Sequence, residues 1–256
     1  MFDSTGLLSL SQRPARLGIL GGGYIGLEFA SMFANFGTKV TIFEAAPQFL
    51  PREDRDIAQA ITRILQEKGV ELILNANVQA VSSKEGAVQV ETPEGAHLVD
   101  ALLVASGRKP ATAGLQLQNA GVAVNERGGI IVDDYLRTTA DNIWAMGDVT
   151  GGLQFTYISL DDFRIVRDGL LGDGKRSTRD RQNVPYSVFM TPPLSSCRAD
   201  GRTSAGKRRN GAGGDITGGG DPSRPCYERY SWRTKSGSGR EYAAYCRGVI
   251  VMRRFS

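Results

Sequence analysis

Cysteine is absent from residues 1–195, so that stretch holds no disulfide, no dithiol relay and no thiolate metal site. Histidine occurs once, at His97, which removes the usual histidine-based catalytic pairs. No uncharged apolar run approaches the roughly 20 residues that a membrane-spanning helix requires. The opening MFDSTGLLSL has neither a basic n-region nor a small-residue cleavage site, so no signal peptide is expected and the default is a cytoplasmic protein. Leucine is absent from residues 196–256, which carry only six Ile, Val, Met or Phe side chains. So few apolar groups cannot offset the entropy of ordering 61 residues, and that tail is expected to be disordered.

Charge divides the chain at the same place. Residues 1–195 carry 18 Lys and Arg against 22 Asp and Glu, whereas residues 196–256 carry 13 against 5. The tail also holds Cys197, Cys226 and Cys246 and 11 of the 32 glycines. Its net charge of +8 would suit a nucleic-acid or membrane surface, but no aromatics interleave it at regular spacing. Neither partner is expected.

What remains is the pattern of an α/β protein built on a Rossmann-type parallel sheet. RLGILG (16–21) reads as a buried strand, followed by a helix carrying Ile25, Phe29, Met32, Phe33 and Phe36 at helical spacing. KVTIFEA (39–45) is a second strand, residues 53–68 an amphipathic helix stopped by Gly69, and VELIL (70–74) a third strand. Residues 77–104 alternate as an antiparallel meander with a turn at 84–86, and ALLVAS (101–106) is again a buried strand.

Gly21, Gly23 and Gly26 form G-x-G-x-x-G at the first strand-to-helix junction, with Tyr24 and Ile25 between the last two. In that context the first glycine permits a tight turn, the second lets a pyrophosphate approach the backbone, and the third lets helix pack on strand. The helix N-terminus would offer N–H groups and a positive dipole end to the phosphates. Glu44, 18 residues after Gly26 at the end of the second strand, would accept hydrogen bonds from a ribose diol and repel a 2′-phosphate. NAD is therefore expected over NADP.

GGGYIGLEFA, SGRKPAT (106–112) and TTADNIWAMGDVTGG (138–152) together resemble three ordered signatures of the pyridine nucleotide-disulfide oxidoreductases, two-dinucleotide flavoproteins similar to dihydrolipoamide dehydrogenase, glutathione reductase and mercuric reductase. The resemblance implies hydride transfer from NADH to FAD, then to a disulfide, quinone or metal ion such as copper(II), in a homodimer. It implies that Tyr24 gates the nicotinamide pocket and that Glu28 pairs with a lysine beside the flavin. It places Gly107 and Arg108 where the chain leaves the nucleotide domain. Thr138, Ala145, Gly147 and Asp148 match the second flavin motif, in which an apolar strand (143–146) precedes a ribityl-binding aspartate.

The family's N-terminal flavin loop, its C-x-x-x-x-C pair and its C-terminal histidine–glutamate pair have no counterpart in this sequence. The chain thus reads as an N-terminally truncated member without catalytic residues of its own, expected not to retain FAD and not expected to keep the dimer. The division implied is an NAD-binding domain over 1–110, a returning flavin-domain segment over 111–165, the start of a dimerisation domain over 166–195, and the tail over 196–256. Taking bases two and three of each tail codon with base one of the next, residues 215–232 permit TLPVAAIPRARVMNDTRG and 242–256 permit TQRIVGASLLCVDSH. Both resemble that dimerisation domain, so the tail is expected to be out-of-frame sequence.

Overall fold

The computed structural model describes residues 1–181, 184–196 and 249–251. The chain divides into two compact units, one of residues 1–106 with the segment from 183 onward, the other of residues 107–182.

The first unit is built on a parallel sheet. Strands β1 (Arg16–Leu20) and β2 (Lys39–Phe43) pair in register, Leu17 against Val40 and Ile19 against Ile42. Helix α2 (Tyr24–Asn35) connects them. It follows a short helix α1 (Ser4–Leu8), which the sequence pattern does not announce and which Asp3 caps by accepting from the Gly6 N–H at 2.7 Å. Helix α3 (Arg55–Glu67) leads to β3 (Glu71–Ile73), parallel to β2. An antiparallel meander follows: β4 (Ala80–Lys84), β5 (Ala87–Thr92) and β6 (Gly95–Val99). Positive φ at both Glu85 and Gly86 makes the first of its turns the tight two-residue kind that matches strand twist. Strand β7 (Ala101–Val104) then returns beside β1, giving the sheet order β3-β2-β1-β7.

Leu17, Ile19, Val40, Ile42 and Leu103 on the strands and Leu27, Ala30 and Ile61 on the helices are fully buried in one apolar core. Phe36 is not part of it. It caps the C-terminus of α2 and is 60% exposed, because one residue beyond the helix its side chain leaves the buried stripe that Leu27, Phe29, Ala30 and Phe33 define. His97 is half-buried with its ring edge on Phe43 at 5.1 Å.

Strands β8 (Tyr186–Val188) and β9 (Leu194–Ser196) form a hairpin whose Val188, Met190 and Leu194 enter this same core. Val249–Val251 (β10) pairs antiparallel with β9, Val249 opposite Ser196. Of the tail expected to be disordered, Ser196 lies in β9 and Val249–Val251 form β10. Its remainder, with the three cysteines and the out-of-frame reading, lies outside the described residues.

The second unit has little regular structure before helix α4 (Thr156–Leu171). Ile143–Met146 is not a strand: it makes one isolated bridge, Trp144 to Arg137, and its apolar residues serve small clusters instead of a ladder. The boundary expected at 165 falls inside α4, which is continuous. Ile165 and Val166 pack on Leu136, and Arg176 and Arg181 bind back to Asp161 on the helix, so the unit runs on to 182. Among the described residues no helix is long and apolar enough to cross a membrane.

Candidate dinucleotide site

The glycine loop follows β1 directly. Gly21 has φ +100, a left-handed conformation suited to glycine, and a Cβ there would lie 2.6 Å from the Ala105 carbonyl oxygen. At Gly26 a Cβ would lie 2.2 Å from the carbonyl oxygen of Gly21, so α2 can approach the strand only with glycine at that position. Gly23 is different. It is the N-cap of α2, it is exposed, and no atom lies within 4 Å of where its Cβ would stand. Gly21 thus sits in a tight turn, Gly23 stands open at the start of α2, and Gly26 lies where helix and strand pack closely. Ile25 is half-buried and packs against the core.

Glu44 continues β2 by one residue and points back at the loop. One carboxylate oxygen accepts from the Gly22 N–H at 2.6 Å and the other from the Ala46 N–H at 2.8 Å. A carboxyl acceptor thus stands beside the glycine loop, with a further lone pair on each oxygen.

Tyr24 begins α2. Its hydroxyl donates to Oε1 of Glu53 at 2.7 Å, and the Tyr186 hydroxyl donates to the same oxygen at 2.6 Å. The two rings stack with centroids 5.4 Å apart and 25° between planes. Burial, with the hydrogen bond to Glu53 added, pushes the Tyr24 phenol up to about 12, although the Tyr186 hydroxyl works against this. Burial and the same carboxylate push Tyr186 further in the same direction. Both phenols are therefore donors at neutral pH. Glu53 is only 3% exposed, in the turn that enters α3. Neither Glu53 nor Tyr186 stands out in the sequence, because 133 residues separate them and no local pattern links them.

Glu28, one turn further along α2, accepts from the backbone N–H of Phe189 at 2.9 Å, and Ser31 accepts from Thr191 N–H at 3.0 Å. The partner observed for Glu28 is thus a main-chain amide of this chain.

In the second unit, Gly107 has φ +131 and Arg108 is exposed on the segment that follows. Gly147 opens a 3-10 turn (Gly147–Thr150) with φ +75, where a Cβ would meet the Ser159 hydroxyl at 2.8 Å. Its N–H donates to the buried Asp162 carboxylate at 2.7 Å. Arg181 binds the other oxygen of Asp162 and also Asp161. This brace leaves the Asp148 side chain exposed. Thr138 hydrogen-bonds the Ala140 and Ile143 carbonyls, and Ala145 is buried. A cleft of about 400 Å³ borders the brace, lined among others by Thr150, Asp162 and Arg181. No group of carboxylates, histidines or cysteines that could hold a metal occurs among the described residues.

Residues 1–162 match the family model for pyridine nucleotide-disulphide oxidoreductases. The chain belongs to that family. Members similar to it include an Escherichia coli protein, the probable pyridine nucleotide-disulfide oxidoreductase RclA, 68% identical over 212 residues, which are 83% of this chain and 47% of that one. Mercuric reductase from Bacillus cereus is 36% identical over 75% of this chain and 31% of its own. Among solved members, the copper(II) complex of the HOCl-induced flavoprotein disulfide reductase RclA from E. coli superposes with a TM-score of 0.78 at 67% identity, over 80% of this chain and 48% of that one. LpdA from Mycobacterium tuberculosis superposes with a TM-score of 0.74 at 29% identity, over 80% and 45%. The chain spans about half the length, or less, of the family members it matches.

Proposed function

We propose that this chain is the NAD-binding part of an NADH-dependent FAD oxidoreductase and that it holds NAD(H) on the Gly21–Gly26 loop. The observation that carries this reading is the division of labour among the three glycines, two fixed by contact and Gly23 open at the start of α2. The N-terminus of α2 and the loop N–H groups would receive the pyrophosphate. Glu44 would accept from the adenosine ribose and Tyr24 would lie over the nicotinamide pocket. Gly107, Arg108, Gly147 and Asp148 would contribute the flavin-side contacts, Asp148 through its exposed carboxylate. In the intact family FAD would supply hydride acceptance from NADH and onward electron transfer to a disulfide, quinone or metal ion such as copper(II). This chain, without the N-terminal flavin loop, is not expected to retain FAD by itself.

The protein's own part in that chemistry is placement and electrostatics. Residues 1–195 contain no cysteine, and His97 is the only histidine of the sequence, so the reading gives this chain dinucleotide binding without turnover by itself. Calorimetry on the full chain is the test. NADH should bind more tightly than NADPH, because a 2′-phosphate beside Glu44 sets like charges a few ångströms apart, worth ~1–4 kcal/mol depending on the effective dielectric. Glu44→Arg should narrow or reverse the gap. Equal affinities in the unmodified chain would defeat the assignment of Glu44, and no binding of either cofactor would defeat the reading.

A further inference from the structure

Tyr24 is held by side chains from two distant places in the sequence. Glu53 reaches it from the turn before α3, and Tyr186 from β8 in the segment after residue 183. Both phenols converge on a single oxygen of a carboxylate that is 3% exposed, and the Tyr186 ring covers a face of the Tyr24 ring. A ring so tied has one resting position. Moving it would break a 2.7 Å bond to a charged acceptor, separate the stacked pair, and leave a buried carboxylate with one phenol fewer.

We infer that Glu53, together with Tyr186, is a positioning latch for Tyr24, which keeps the ring in its resting place so that the nicotinamide half of NADH is admitted only as Tyr24 leaves Glu53. The inference rests on the proposed NAD site and adds what governs entry to it. Glu53 touches no part of the dinucleotide and acts through Tyr24 alone. A conformation that must be given up on binding lowers apparent affinity by the fraction of molecules already open, so weakening the latch tightens binding. The effect is confined to ligands that carry nicotinamide. ADP-ribose would occupy the glycine loop and Glu44 without displacing the ring.

The test measures NADH and ADP-ribose affinities on the full chain and on three single variants, Glu53→Gln, Tyr186→Phe and Tyr24→Phe. Glu53→Gln and Tyr24→Phe, which weaken or remove the Tyr24–Glu53 hydrogen bond, should tighten NADH by roughly fivefold while ADP-ribose stays unchanged. Tyr186→Phe, which keeps that bond and the stacked ring, should not tighten NADH. The double variant Tyr24→Phe/Glu53→Gln should add nothing to Tyr24→Phe. If Glu53→Gln fails to fold, Tyr24→Phe still decides the matter, since it removes the latched hydroxyl and keeps the ring. In Glu53→Gln or Tyr24→Phe, an unchanged NADH to ADP-ribose ratio, a parallel change in both affinities, or a selective weakening of NADH would overturn the latch. If the unmodified chain bound neither ligand, the underlying NAD reading would fail and the latch with it. ADP-ribose binding combined with an unmoved ratio would remove the latch alone.

Discussion

The two units are stabilised by different means. Between residues 1 and 106, aliphatic side chains alternate into the two faces of a parallel sheet, and Leu17, Ile19, Val40, Ile42 and Leu103 have no measurable or almost no exposure. Between residues 107 and 182 there is one long helix and scarcely any ladder. There the chain is tied by carboxylates and guanidinium groups: Arg137 to Asp133, Arg179 to Asp134, Arg176 to Asp161, and Arg181 to both Asp161 and Asp162. A core of the first kind loses stability when volume is removed. A scaffold of the second kind loses it when a charge is left without its partner. The comparison can be broken by four measurements, with Trp144 fluorescence in a Trp232→Phe background reporting the second unit.

The largest effect is expected at Arg181. Its removal leaves the Asp162 carboxylate buried without its counter-charge, and Arg181→Met should cost about 3–5 kcal/mol in denaturant unfolding followed at Trp144. Exchange of the Gly147 amide, which donates to Asp162, should rise in parallel. A cost below that of an exposed pair would show that α4 packing, not the brace, holds the turn.

Leu103→Ala should cost about 2–5 kcal/mol, since Leu103 is fully buried between β1 and the N-terminal bridge from Phe2, where little can collapse into the space. Circular dichroism of the sheet reads it. A value under 1 kcal/mol, well below that range, would mean that the first unit is less tightly packed than its burial implies.

Acid separates the two modes of stabilisation more gently. Burial disfavours the charged form of Asp161, but hydrogen bonds and charge from Arg181 and Arg176 outweigh it and hold the carboxyl below its usual range. A lowered folded-state pKa gives stability that is present above the unfolded value, about 3.9, and is lost as pH falls through the folded one. Asp133, held down against burial by the backbone and side chain of Arg137 and the Tyr135 N–H, behaves alike. The Trp144 transition should therefore weaken as pH drops below about 4, and Arg181→Met should flatten that dependence. An identical acid profile in the variant would refute the assignment.

The smallest effect is expected at Arg137. Its pair with Asp133 is well exposed, and the carboxylate keeps the Tyr135 and Arg137 backbone donors when the side chain is cut, so Arg137→Ala should cost no more than about 1 kcal/mol. A loss comparable to that of Arg181→Met would erase the distinction between buried and exposed pairs.

The same contrast explains what could be read from the sequence. In the first unit the period of apolar residues and the positions of Gly21, Gly23 and Gly26 are local signals. The parallel strands, the meander, α2, α3, the turn at 84–86 and the loop follow from them, whereas α1 and the β8–β9 hairpin do not. Glu44 was legible as an acid at a strand end, but its grip on the Gly22 N–H was not, since that contact depends on where the loop curls. In the second unit the run Ile143–Met146 has the composition of a strand without a neighbour to pair with along its length. The Asp162–Arg181 brace and the Tyr24–Glu53–Tyr186 cluster join residues far apart in the chain, and nothing in either local segment marks its distant partner.

The placement of Glu44 carries a consequence for how this loop can change. The carboxylate that would discriminate between cofactors is also the acceptor that shapes the loop receiving them, through Gly22 and Ala46. On the proposed reading, a replacement at position 44 that removes the acceptor would alter ligand choice and loop geometry in one step. A route from one dinucleotide preference to the other therefore has to pass through a second substitution that re-seats the two orphaned amides, and the order of the two steps matters. The helper change must come first or together, because the switch made alone lands on a loop that no longer has its own anchor.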